Sequence, residues 1–210
     1  MNTNKFKYPR TPHLPWSSSH SSDDIILQNA KRFEGKEVVV TEKLDGENTT
    51  MYPDYIHARS IDNRSHSSRE WVKRLHASIS YLIPSGWRIC GENVYAKHSI
   101  AYANLESYFY VFSIWDDQNV CQSWQQTQEW AQLLDLKTPR EFYRGLWNEK
   151  VISTLAIDTS RCEGYVVRTV ENFAYDSFNQ NVAKWVRKGH VMTDEHWMYK
   201  EVIPNSLNIK

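Results

Sequence analysis

The sequence predicts an α+β fold of twisted antiparallel sheets with flanking helices. Three observations carry that expectation. Short runs with strand character recur along the chain, beginning at Val38-Val39-Val40; only a few stretches between them have helical spacing; and no repeat or compositional break divides the 210 residues, so 1–210 is expected to form a single domain.

Taken in order, residues 9–24 hold three prolines, a run of serines and Asp23-Asp24, which predicts an irregular arm leading into a short helix, with Trp16 available to dock it. Strands are expected at 37–45, 47–52 and 55–60, the last two joined by a turn at Pro53-Asp54. From Ser68 to Leu82 the apolar residues Trp71, Val72, Leu75, Ile79 and Leu82 fall on one face of a helix that Pro84 stops. Strands return at 87–95 and 108–115, helical patterns occupy 123–135 and 139–155, strands follow at 163–170 and 181–187, and the tail carries a helical "TDEHWMYKEV".

Lys+Arg and Asp+Glu both total 25, so no global basic field attracts nucleic acid and a polyanion must be met by a local patch. Hydrophobic residues make up 40% and include nine Trp and twelve Tyr, a composition for a folded aromatic core with stacking surfaces to spare. Cys90, Cys121 and Cys162 are odd in number and far apart, which suggests neither a disulfide framework nor a zinc site and fits a reducing compartment. No apolar run reaches the length of a membrane span and "MNTNKFKYPRTPHLPW" lacks the apolar centre of a signal peptide, so a cytoplasmic protein is expected.

The chemistry-bearing residues interrupt the strands. In "VVVTEKLDGENTT" an apolar strand ends in Glu42, Lys43, Asp45 and Glu47; Glu92 lies in "RICGENVYAKHSI", Glu163 opens "EGYVVR", and Lys184 sits in "NVAKWVRKGHV". A charged side chain in a half-buried strand is costly unless paired or metal-bound. Each alone reads as an exposed strand face or a structural ion pair; together they supply what a metal-assisted phosphoryl reaction needs, carboxylates for a hard cation and bases for phosphate oxygens. There is no G-x-x-x-x-G-K-[ST] loop and no G-x-G-x-x-G, so a nucleotide would be held by side chains.

In that order, Lys43-Leu44-Asp45-Gly46, Arg59, "CGEN" with Glu92, "YFYVFSIWD", "EGYVVR" and "AKWVRK" resemble the successive motifs of the covalent nucleotidyltransferase superfamily, ATP-dependent RNA and DNA ligases and mRNA capping enzymes; within it "TEKLDGEN", with Asn48, is most similar to the RNA ligases. The resemblance implies an ATP-grasp-like ligase adenylation domain. It implies Lys43 as the nucleophile that takes AMP from ATP, Glu42 and Asn48 near the nucleotide, Arg59 on phosphate or ribose, Glu92 and Glu163 in the ribose and metal shells, and Phe112 stacked on the base. Lys184 matches the first basic residue of the last motif. The family's second lysine falls at Val186 here, which leaves Arg187 or Lys188 to take its place.

The chemistry agrees. Presenting a lysine of pKa about 10.4 as a neutral amine at pH 7 costs roughly 4.6 kcal/mol. Lys184 or a hydrated Mg²⁺ (or Mn²⁺) beside Lys43 would lower that cost, provided that Asp45, Glu92 and Glu163 are committed to the metal, its waters or the nucleotide. Alternation along "YFYVFSIW" places Tyr110, Phe112 and Ile114 on one face and Phe109 and Val111 on the other, with Phe109 the fallback stacker. His57, His98 and His190 show no metal spacing and are expected to be structural, and Arg10 and His13 of the arm to cap the core rather than reach the pocket.

The expected activity is an ATP-dependent RNA ligase of RNA repair or end joining, which seals 5′-phosphate to 3′-hydroxyl ends. About 20 residues follow the last motif, too few for an appended oligonucleotide-binding barrel, so RNA binding is expected from the core surface or from a partner protein. The alternatives are a guanylyltransferase or DNA ligase core, and a metal-dependent nuclease built on Glu92, Glu163 and Asp45.

Overall fold

The computed structural model describes residues 5–18, 24–61, 63–188 and 201–208. The opening apolar run forms β1 (Glu37–Lys43), whose interior is fully buried, and the polar turn after it carries the chain to the other sheet, into β2 (Glu47–Met51) and β3 (Ile56–Ala58). The Pro53-Asp54 turn is closed by the Tyr52 N–H on the Tyr55 carbonyl at 2.7 Å. A 3-10 turn, Ser67–Arg69, leads into α1 (Glu70–Ile79), which buries Val72 and Ile79. The expected face does not extend to Leu82, which is 44% exposed in a second 3-10 turn.

Next come β4 (Arg88–Asn93), β5 (Phe109–Trp115), the two-residue β6 (Val120–Cys121) and α2 (Trp124–Leu133). The start of α2 is fixed by a capping box: Ser123 Oγ accepts from the Gln126 N–H at 3.2 Å while Gln126 Oε1 accepts from the Ser123 N–H at 3.2 Å. The long helix expected at 139–155 does not form. Residues 141–146 are strand β7 (Glu141–Leu146), paired antiparallel with β1, and only α3 (Glu149–Ser153) is helical, starting from an Asn148 N-cap. The apolar spacing is shared by both forms. Gly145, at φ +151°, breaks the helical option, and the free edge of the buried strand β1 supplies a ladder.

The chain ends its core with β8 (Gly164–Thr169), β9 (Phe173–Ala174), α4 (Phe178–Asn181) and β10 (Val182–Val186). One sheet has the order β10-β8-β1-β7, the other β3-β2-β4-β5-β6-β9, with every pairing antiparallel. The outer face of the first sheet packs Val38, Val40, Tyr165 and Val167 under Leu14, Phe33 and Ile152. The outer face of the second packs Ile89, Phe109 and Val111 on α1 and α2. Between the sheets lie Val166, Val182, Cys90, Trp115 and Phe112.

The arm is extended and runs beside β10: Leu14 N–H donates to the Lys184 carbonyl and Lys184 N–H to the Pro12 carbonyl, both at 2.8 Å. Trp16 docks through its indole N–H on the Tyr165 hydroxyl at 2.8 Å. In place of the expected short helix there is a 3-10 turn at Lys31–Phe33. Most of "TDEHWMYKEV" lies outside the described residues, and 201–208 form no helix.

Candidate active site

Strand alternation puts Val39, Thr41 and Lys43 on the inner face of the first sheet, and the ladder sets Lys43 beside Gly164 and Gly164 beside Val186. A Cβ at Gly164 would run into the Trp185 carbonyl, so only glycine lets β10 approach this closely and bring Lys184 toward Lys43. Glu163, the residue before β8, is almost wholly buried and its Oε2 accepts a short hydrogen bond from Lys43 Nζ. On the second sheet Asn48, Glu92 and Tyr110 are ladder neighbours, and Glu92 Oε1 accepts from the Gly46 N–H at 3.1 Å.

The electrostatics follow from this crowding. Burial pushes the Glu92 carboxyl up to about 8, with the charges of Glu163 and Asp45 adding to the rise against Lys43 and the Gly46 N–H. Burial works against the Lys43 ammonium, yet Glu163, Glu92 and Asp45 together outweigh it and hold the pKa above the ordinary lysine value. This reverses the expectation of a depressed Lys43: three carboxylates act on it, and their summed charge exceeds the penalty of burial. Lys184 is the depressed one, by burial and by the charges of Lys43 and Arg59, opposed by Asp24 and Glu163.

The other predicted residues fall in distinct places. Asp45 is buried, and its Oδ2 accepts from Ser99 N–H and Oγ, both at 2.7 Å, and from Ile100 N–H at 2.9 Å, so this oxygen is occupied by a loop. Glu42 alternates away from Lys43; Arg140 lies 3.8 Å from it, and burial raises its pKa against Arg140 and the Cys162 thiol. Arg59, just past β3, donates its N–H to the Asn48 carbonyl at 3.1 Å. The Asn48 Oδ1 and Arg187 Nε atoms are buried without a hydrogen-bond partner. The Arg187 N–H is fixed on the Glu163 carbonyl at 3.0 Å, whereas Lys188 is exposed.

Phe112 stands at a β-bulge. Cys90 pairs with Ser113 and Gly91 with Val111, so Phe112 opposes no residue of β4. The bulge reverses the alternation beyond it, and Ile114 joins Phe109 and Val111 on the outer face instead of sharing a face with Phe112. Phe112 remains between the sheets, with the Tyr8 ring edge-on at 5.1 Å. His57 is packed in β3 with Nδ1 2.6 Å from the Ala58 carbonyl oxygen, and His190 lies outside the described residues. His13 is buried with Nε2 3.4 Å from Asp24 Oδ2, and Asp24 Oδ1 is 3.7 Å from Lys184 Nζ, so the arm does reach the site's edge.

Three contributors had no weight in the sequence reading. Arg168 ends the "EGYVVR" stretch and is buried between the sheets; strand alternation from Gly164 was the signal for it. Tyr102 accepts the Asp45 N–H on its hydroxyl at 2.9 Å, and Asp24 faces Lys184; neither contact leaves a pattern in the sequence.

A family model described as RNA ligase matches residues 36–186, the stretch that runs from β1 to β10. The chain belongs to the RNA ligase family. No curated protein sequence matches it. Among solved structures it is similar to an archaeal ATP-dependent RNA ligase, with a TM-score of 0.59 at 15% identity over 86% of this chain and 48% of that one. A Naegleria gruberi RNA ligase with PPi superposes with a TM-score of 0.54 at 21% identity, over 75% of this chain and 51% of that one. A variant of the Naegleria ligase with ATP and Mn gives 0.55 at 17% identity, over 86% and 60%. These likenesses show a shared fold, and this RNA ligase family chain spans roughly half of each of those longer chains.

Proposed function

We propose that the protein is an ATP-dependent RNA ligase in which Lys43 Nζ attacks the α-phosphorus of ATP, the bond to pyrophosphate breaks, the resulting lysyl-AMP passes its AMP to an RNA 5′-phosphate, and a 3′-hydroxyl then attacks that phosphate, sealing the strand with release of AMP. The observation that carries the reading is Lys43 at the end of a buried strand, bonded to Glu163 and within electrostatic reach of Glu92 and Lys184. The solved relatives with ATP and Mn, and with AMP and Mn, support the same choice of nucleotide and divalent ion.

The residues present fit such an ion. Glu92 and Glu163 are hard oxygen donors, and the Glu163 charge adds to the burial that raises the pKa of Glu92. Among the described residues no three His, Cys, Asp or Glu side chains gather as a metal cage, so phosphate oxygens and water would complete the shell. Bound there, Mg²⁺ or Mn²⁺ would offset triphosphate charge. With Glu163 and Glu92 engaged by metal and nucleotide, Lys43 would keep only the Asp45 charge against its burial and the repulsion from Lys184, which would favour the neutral amine. Arg187, with its buried unpartnered Nε, is the better replacement for the family's second lysine than exposed Lys188.

RNA with 5′-phosphate and 3′-hydroxyl ends is the proposed substrate, bound through the core surface or with a partner protein. Among the described residues no helix is long and apolar enough to cross a membrane, and the three cysteines are buried and unpaired, as suits a reducing compartment. The test is intact-mass measurement after incubation with ATP and Mg²⁺, and in parallel with GTP. An AMP-sized increase that vanishes in Lys43→Ala is expected; a GMP adduct would make the chain a guanylyltransferase, and an adduct that survives the substitution would move the nucleophile elsewhere.

A further inference from the structure

The turn that follows Lys43 is held from an unexpected quarter. Leu44 and Asp45 lie between β1 and β2 and belong to neither ladder. Asp45 is fixed instead by Ser99 and Ile100 on its carboxylate and by the Tyr102 hydroxyl on its N–H, all from the segment 94–108, which has no regular structure of its own. An irregular segment positions nothing unless something positions it.

Residues 201–208 do so. Asn205 is buried, and its Oδ1 accepts from the Tyr102 N–H at 2.9 Å while its Nδ2 donates to the Val94 carbonyl at 2.8 Å. Its N–H donates to the Tyr95 carbonyl at 2.8 Å and its carbonyl accepts from the Tyr108 hydroxyl at 2.9 Å. Ser206 N–H takes the Tyr102 carbonyl at 3.1 Å. Tyr102 is therefore held at both backbone groups by this clasp and holds the nucleophile turn with its ring hydroxyl. The next residue of that turn, Gly46, in turn holds Glu92. All of this clasp lies outside the stretch that the family match covers.

We propose that Tyr102 is a positioning residue for the Lys43–Gly46 turn, and that Asn205 acts through it. The proposal rests on Lys43 being the nucleophile, but the linkage itself is independent of that reading. The test compares Tyr102→Phe, Asn205→Ala and the double variant by two measurements: the rate of lysyl-AMP formation against ATP concentration, and amide hydrogen exchange at Asp45 without nucleotide. Each single variant should lower the rate at saturating ATP by on the order of tenfold, with half-saturation little changed, since one hydrogen bond of alignment is lost. The double variant should be no worse than the poorer single one, because both act on one link.

In Asn205→Ala the Asp45 amide should exchange faster although residue 205 does not touch it. Multiplying rate losses, or faster exchange confined to 94–108 with Asp45 still protected, would overturn the proposal. Were the wild type to form no adduct, the ligase reading would fall while the exchange measurement still decided the linkage. If Asn205→Ala does not fold, Asn205→Ser, which keeps a polar group but is too short to hold the Tyr102 N–H, should show the same signs, and unchanged exchange in it would refute the linkage.

Discussion

A charge buried in a strand announces itself, because it must find a partner; the partner does not announce itself in return. Lys43, Glu92, Glu163 and Lys184 were legible in the sequence on that ground, and they converge although Lys43 and Glu163 stand 120 positions apart. Tyr102, Asn205 and Asp24 were not legible, since their contacts come from irregular segments whose side chains follow no period. Asn48 offers a sharper residue-scale test than the charged groups. Its Oδ1 is buried without a partner, so it is desolvated in the free protein with nothing returned by folding. Asn48→Ala should therefore melt no lower than wild type, and up to about 1 kcal/mol of added stability is in range, while lysyl-AMP formation falls by roughly tenfold or more. Thermal melting beside the mass assay checks it; a lower melting temperature with intact adduct formation would make Asn48 a structural residue.

At the scale of elements, the strands were read to within about two residues at each end wherever an apolar run met a turn signal, and the failures have local causes. Residues 139–155 carry apolar side chains at a spacing that serves helix or strand, and only the open edge of β1 decides for β7. At Phe112 one extra residue reverses every side chain after it, which no alternation rule can foresee. Where an element has its own capping signal it should behave as an independent unit. Ser123→Ala removes the side-chain half of the α2 capping box and should cost about 1 kcal/mol. Trp124 at the start of α2 packs with Val39 and beside Arg168, while the rest of the helix packs on the outer face of the second sheet. With Trp124 kept in place, loss of the cap alone should leave the rate of lysyl-AMP formation, measured well below the melting temperature, at the wild-type value. A rate loss at full folding would mean that α2 transmits its position through β5 to the site.

At the scale of the molecule, both sheets contribute residues to the site and their inner faces must be kept in register with each other. Arg168 does this as a buried fork: Nη1 donates to the Phe112 carbonyl at 3.2 Å, Nη2 to the Gln122 carbonyl at 2.8 Å and Nε to the Thr169 carbonyl at 3.2 Å, with Trp124 and Phe173 rings 5.5 Å away. One residue of the first sheet thus holds the bulge of the second at Phe112, the residue proposed to stack on the base. Arg168→Lys keeps the charge but cannot reach three carbonyls at once, leaving buried acceptors unsatisfied at a cost of about 3 kcal/mol. For a chain of this size that corresponds to roughly 6–12 °C in melting temperature. The functional consequence should be selective. Stacking on a base is worth on the order of 1–3 kcal/mol, so a displaced Phe112 should raise the ATP concentration for half-maximal lysyl-AMP formation by up to about tenfold, with a smaller change in the maximal rate. Ile152→Ala is the control: it opens a cavity of comparable cost, about 2–5 kcal/mol, under the outer face of the first sheet, and should lower the melting temperature without moving half-saturation. If the two variants shift half-saturation alike, the effect is one of general stability, and Arg168 holds the sheets together without setting Phe112.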